Sequence, residues 1–170
     1  MITLPNYVAT AAAELWNLEN YQLIAQLDGH VGKVLSGRFV DGDREVLTVG
    51  DDGTARMWDG ATGRLRQIFR GSSRFLADAL LAPDGSMVVA GDADGVLRFW
   101  DASNGRPLWT LRAHKAPVIG IQFDGEDIVT RSFAGEISRW TLPKSQLVIA
   151  DYCRGETTIA DHKACGTVPP

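Results

Sequence analysis

The residues in this chain best able to bind a metal or move a proton are three histidines and two cysteines. Cys153, His162 and Cys165 stand together near the C-terminal end. Zinc takes four ligands from Cys, His and carboxylates, and Asp151 or Asp161 could supply the fourth. The C-x8-H-x2-C spacing fits no strong zinc template, and the segment reads as a loop. A tail with ordinary reduced thiols is therefore the expectation, with a metal-binding or enzymatic module in the tail as the rival. Asp92-Ala93-Asp94-Gly95 opens like a calcium loop, but the later ligands and the closing glutamate are missing. His30 and His114 could serve as bases, yet no nucleophile partner is visible. The chain has neither a G-x-S-x-G elbow nor a glycine-rich phosphate loop. The chain thus reads as no enzyme, with no catalytic residue, no metal site and no cofactor.

Charge narrows the partners. Arg56, Arg64, Arg66, Arg70 and Arg74 gather in one stretch, and Arg98, Arg106 and Arg112 partly echo them. Balancing acids make a solvated outer strand the simpler reading, with a basic rim for an acidic peptide as the alternative. The formal net charge is −4, so the electrostatic footprint of a nucleic-acid binder is not expected. No apolar run reaches the length of about 18 residues that a membrane helix needs. The first residues, MITLPNYVATAAAELW, lack the basic and apolar regions of a signal peptide. Two cysteines make no disulfide framework, and the chain reads as cytoplasmic. At 170 residues, 45% hydrophobic and 22% charged, it is expected to form one ordinary globular domain.

The elements that position these residues are set by a repeat. DDGTARMWDGATGRLRQ (51–67) returns as ADGVLRFWDASNGRPLW (93–109), 42 positions later. Trp16, Trp58, Trp100 and Trp140 follow one another at intervals of 42, 42 and 40. His30, Ser72 and His114 keep the same step of 42, as do Phe39, Leu81 and Phe123. The segments between these markers are short and strand-like. VLSGRF and REVLTVG flank Asp41-Gly42, LADALLA and SMVVAG flank Pro83-Asp84-Gly85, and VIGIQF and EDIVTRS flank Asp124-Gly125. Asp-Gly between two such runs marks a hairpin, because both turn positions tolerate positive φ. TARMW, the link GATGR and LRQIF complete four strands in the first repeat.

A period of about 40–45 residues with a Gly-His start and a Trp-Asp end is the mark of a propeller blade. Over residues 14–142 the chain resembles the WD-repeat (WD40) β-propeller family, in a form that looks bacterial. The resemblance implies an all-β fold of blades with four antiparallel strands. It also implies a buried tetrad in each blade: a histidine, a Ser or Thr, an Asp and a Trp. The first repeat matches with His30, Thr48, Asp52 and Trp58. The second has Ser72 and Ala90 but keeps Asp94 and Trp100; the third has His114, Thr130 and Trp140 but Ala134 for the Asp. These two blades are expected to rely more on packing than on the network, with Asp94 capping its own turn.

The expected division is a partial blade at 1–28, blades at 29–70, 71–112 and 113–152, and a tail at 153–170. Residues 1–8 could add an edge strand, and SQLVIADY (145–152) an outer strand or a short helix. This makes a partial propeller of about 3.5 blades, whereas rings close with about four to eight. Two copies closing one ring, another chain supplying blades, or a longer parent protein would each resolve the shortfall. Assembly is favoured, with a partner's tail around Thr157–Ala160 pairing with the N-terminal half-blade in the two-copy case. The resemblance implies a non-enzymatic scaffold for a protein or peptide; a sensor part of a bacterial signalling ATPase or kinase is the alternative. Its usual contact positions correspond here to Lys33, Asp51, Phe75, Ala93, Pro117 and Phe133. Of these, Phe75 and Phe133 are the expected hot spots, unless Phe133 packs on a neighbouring blade.

Overall fold

The computed structural model describes residues 1–3 and 12–142. Its described residues form strands, turns and bends, with no helix. The N-terminal sheet holds β1 (Ile2–Thr3), β2 (Ala13–Asn17) and β3 (Gln22–Leu27), in chain order. The first full sheet is β4 (Val34–Val40), β5 (Glu45–Gly50), β6 (Ala55–Asp59) and β7 (Leu65–Phe69). The second is β8 (Leu76–Leu81), β9 (Met87–Asp92), β10 (Val96–Asp101) and β11 (Pro107–Arg112). The third is β12 (Val118–Asp124), β13 (Asp127–Ser132) and β14 (Ile137–Thr141). All pairings are antiparallel between chain neighbours, the arrangement of propeller blades. The edge strand expected near the N-terminus is β1, which pairs Ile2 with Leu15. Residues 145–152 and the tail, with Thr157–Ala160, Cys153, His162 and Cys165, lie outside the described residues.

The sequence period becomes a structural one down to its irregularities. A bulge interrupts the first strand pair of each of the three later sheets, at Val34/Ser36, Leu76/Asp78 and Val118/Gly120. A second recurs just before the tryptophan, at Leu15/Trp16, Met57/Trp58 and Phe99/Trp100. An extra residue at these points sharpens the local twist.

Three apolar seams hold consecutive sheets together. Ala13, Leu15 and Leu27 pack with Val34, Val46 and Trp58. Leu47, Val49, Met57 and Phe69 pack with Leu76, Val88 and Trp100. Val89, Leu97, Phe99 and Leu111 pack with Val118, Ile121 and Ile128. A middle strand such as β5 is covered on both faces, which is why EVLTVG is buried almost throughout rather than alternating. Phe69 and Trp100 meet across the second seam with ring centroids 6.0 Å apart.

The inner strands are also tied by one buried carboxylate. Asp78 accepts from Ser36 Oγ and the Arg38 guanidinium of the preceding sheet. It accepts from the Ile121 N–H of the following sheet at 2.9 Å. One side chain on β8 thus joins three consecutive sheets.

Candidate functional site

The loops at one end of the sheets are held in place by the residues that repeat. In the first full sheet the Trp58 indole N–H donates to Thr48 Oγ1 at 2.9 Å. Thr48 Oγ1 lies 2.9 Å from His30 Nε2, and His30 Nδ1 lies 3.0 Å from Asp52. One proton arrangement satisfies every group. The threonine hydroxyl, accepting from the indole, donates to Nε2; Nδ1–H then donates to the carboxylate. Burial pushes the His30 pKa down, and this outweighs the hydrogen bond and charge of Asp52, so the neutral ring is favoured. Burial alone would raise the Asp52 pKa. The hydrogen bonds from His30, Val31 N–H and Thr54 outweigh it and bring the carboxyl to about 2. Because Asp52 accepts from Val31 at 3.1 Å and from Thr54 at 3.1 Å, it fastens one loop to the neighbouring turn. Gly53 follows at φ +69, where an added Cβ would lie 2.5 Å from the Ser72 carbonyl oxygen.

The second sheet departs from the expectation. Asp94 does not cap its own turn; it faces Arg74 at 3.6 Å. Asp92 does the capping, fully buried and accepting from Asp94 N–H and Val96 N–H at 2.9 Å each. The reason is position. Asp92 stands where the first sheet has Gly50, at the end of the middle strand, and its side chain reaches the turn amides first. Asp92 also holds the Arg98 guanidinium. Ser72 turns to its own loop and donates to the Arg74 carbonyl at 2.8 Å. With Ala90 offering no hydroxyl, the Trp100 indole donates instead to the Arg70 carbonyl at 2.7 Å.

The third sheet also corrects the sequence reading. The missing Asp at Ala134 does not cost the sheet its network. Trp140 donates to Thr130 Oγ1 at 2.9 Å, and His114 Nε2 lies 2.8 Å from the same oxygen. Glu136, two residues past Ala134, brings its carboxylate to 3.2 Å from His114 Nδ1. The longer glutamate side chain covers the displacement. Sequence reasoning missed Glu136 and Asp92 because both sit two residues from the expected position. A carboxylate elsewhere within the same turn was the available signal.

The six expected contact residues fall into three equivalent pairs. Asp51 N–H donates to the Lys33 carbonyl at 2.9 Å, Ala93 N–H to Phe75 at 3.2 Å, and Phe133 N–H to Pro117 at 2.8 Å. Each pair ties a loop between sheets to the tight turn beside it, so the six stand at one end of the sheets. Phe133 is 76% exposed and Phe75 36% exposed. The arginines do not form one rim. Arg56 is buried on Asp52, the half-buried Arg98 pairs with Asp92, and Arg66 pairs with Glu45 and Asp59.

A family model described as "Outer membrane protein assembly factor BamB" (PQQ_2) matches residues 7–159. The chain belongs to this β-propeller family. Among curated proteins its relatives are WD-repeat proteins, which places WD-type blades alongside that membership. Protein tipD of Dictyostelium discoideum is 32% identical over 111 residues, 65% of this chain and 18% of that protein. Autophagy-related protein 16 of Arabidopsis thaliana is 26% identical over 133 residues, 75% of this chain and 26% of that protein. The chain thus spans only about a fifth to a quarter of the length of these relatives. A crystal structure of the computationally designed Ika4 protein superimposes with a TM-score of 0.69 at 24% identity, covering 84% of this chain and 92% of that one. That likeness shows the fold.

Proposed function

We propose that the chain works as a protein- or peptide-binding scaffold through the loop face that carries Lys33, Asp51, Phe75, Ala93, Pro117 and Phe133. The observation that supports this reading is the exposure of Phe133, at 76%, on a turn fastened by its backbone to Pro117 and, through Glu136, to His114. A rigidly held, exposed aromatic is what a binding hot spot requires. The net charge of −4 favours a protein partner over a nucleic acid, and two cysteines suit a cytoplasmic setting. The propeller is completed by oligomerisation of the chain or by blades from another chain.

Selection from a displayed random-peptide library, followed by titration calorimetry, tests the binding reading. Peptides enriched on the chain should bind Phe133→Ser at least about thirtyfold more weakly, the effect of a hot-spot truncation of about 2 kcal/mol. Peptides that bind Phe133→Ser, Phe75→Ser and the parent chain equally would refute it.

A further inference from the structure

The second full sheet has Ser72 and Ala90 where the first has the imidazole of His30 and the hydroxyl of Thr48. That exchange changes what surrounds the tryptophan. In the first sheet an added Cβ at Gly29 would lie 2.3 Å from the guanidinium of Arg56, which is buried against Asp52. At the equivalent Gly71 the nearest heavy atom to an added Cβ is Trp100 Nε1, at 3.9 Å. Arg98, the counterpart of Arg56, has turned to Asp92 instead. A pocket of about 260 Å³ opens here, with Arg70, Gly71, Arg98, Trp100, Pro107 and Thr110 in its walls.

The walls combine apolar surface with one unanswered cation. The Trp100 indole N–H is spent on the Arg70 carbonyl, so Trp100 offers the pocket apolar surface and holds the Arg70 backbone in place. Arg98 is neutralised by Asp92. Arg70 is not: its guanidinium is exposed and has no partner among the described residues, and neither has the Thr110 hydroxyl. The first sheet carries Asp28 at the place of Arg70. Pockets that enclose a whole small ligand measure about 300–1,000 Å³, so this one fits a single large side chain. Among the described residues β11 is the outer strand of its sheet, and an extended segment can lie along it.

We propose that this pocket takes one apolar or aromatic side chain of an extended acidic peptide, with Arg70 pairing a carboxylate two residues from that anchor. Side chains two apart along an extended segment share a face, which sets the spacing. A free guanidinium pairs strongly with a carboxylate and repels a lysine, so the acid gives selectivity and the apolar side chain gives the anchor. The site goes beyond the loop face described above, since none of its six residues lines the pocket.

Fluorescence anisotropy of labelled seven-residue peptides titrated with the full chain tests it. The peptides carry leucine, phenylalanine or tryptophan at the centre and glutamate two positions to either side, so either chain direction can bind; a matched set carries lysine in place of glutamate. At least one glutamate peptide should bind the parent chain, and its lysine counterpart should bind at least about tenfold more weakly. Arg70→Asp keeps the carbonyl that Trp100 uses and should weaken the glutamate peptide at least about tenfold. Thr110→Tyr fills the pocket without changing its charge and should weaken the same peptide by a similar factor. Circular dichroism checks the fold of both variants, and Phe133→Ser should bind the peptide as the parent does. A parent chain that binds none of the glutamate peptides, or an Arg70→Asp chain that binds them as tightly as the parent, overturns the inference and leaves the loop-face reading standing. Binding lost in Phe133→Ser but kept in Arg70→Asp assigns the peptides to the loop face and overturns the pocket. If these peptides bind as expected while the library-selected ones ignore Phe133 and Phe75, only the loop-face reading falls.

Discussion

Replacing Thr48 by valine removes one hydroxyl from a position where two buried partners depend on it. Valine keeps the shape and the β-branch, so strand β5 should be undisturbed. The Trp58 N–H loses its acceptor at a site 2% exposed, and His30 Nε2 loses its donor. An unsatisfied buried polar group costs about 1–3 kcal/mol, so two of them cost about 2–6 kcal/mol, and about 1–6 kcal/mol remains after the new methyl recovers up to about 1. For a chain of 170 residues each kcal/mol lowers the melting temperature by about 2–4 °C, so a fall of about 2–24 °C is expected. Thermal and urea unfolding followed by tryptophan fluorescence read the loss directly. Thr48→Ser keeps the hydroxyl and should cost about 1 kcal/mol or less. A loss below about 1 kcal/mol for valine would refute the reasoning. It would mean that the Trp58 indole finds another acceptor, as Trp100 does on the Arg70 carbonyl.

Two further outcomes follow from the buried charges. Asp78→Ala leaves Arg38 and the Ile121 N–H without their shared acceptor and should cost about 3–5 kcal/mol in urea unfolding; a loss under about 1 kcal/mol would show that the inner strands do not lean on it. The His30 pKa is lowered below its ordinary 6.5 and that of Asp52 is lowered from 3.8 to about 2. Both groups bind protons more readily in the unfolded chain, so their stabilising contributions are full above the unfolded values and fade as pH falls. The urea midpoint should therefore drop first below pH about 6.5, through His30, and again between pH about 4 and 2, through Asp52. His30→Gln should flatten the upper step; an unchanged midpoint from pH 7 to 5 in the parent chain would contradict the assignment.

Much of the architecture was legible because it depends on features a sequence displays: spacing of tryptophans, Asp-Gly turns and runs of β-branched residues. LRQIF became β7 without a residue of difference. The networks were legible only where the repeat was strict. His30, Thr48, Asp52 and Trp58 came together because all four positions match the pattern. Asp92 and Glu136 escaped it because a carboxylate can act from a neighbouring position if its length and the turn allow. Asp78 left no signal at all. Its partners Ser36, Arg38 and Ile121 belong to other repeats, and only the stacking of sheets brings them within reach.

The shifted carboxylates have a consequence for the loop face. In the first sheet Asp52 joins the entering loop at Val31 to the turn at Thr54. In the third sheet Glu136 reaches His114 and plays the same part. In the second sheet Asp92 spends its oxygens on its own turn and on Arg98, and Ser72 bonds within its own loop. The loop at 70–75 is therefore tied to the adjacent turn by the Ala93–Phe75 backbone bond at 3.2 Å and the Arg74–Asp94 pair at 3.6 Å. Fewer buried bonds mean a lower cost of local opening. Phe75 thus stands on the more adaptable loop and Phe133 on the more rigid turn. A partner held by both would take its register from Phe133 and its final fit from Phe75, so truncating Phe133 should raise the dissociation rate more than truncating Phe75 does, a difference that surface plasmon resonance with a selected peptide would resolve.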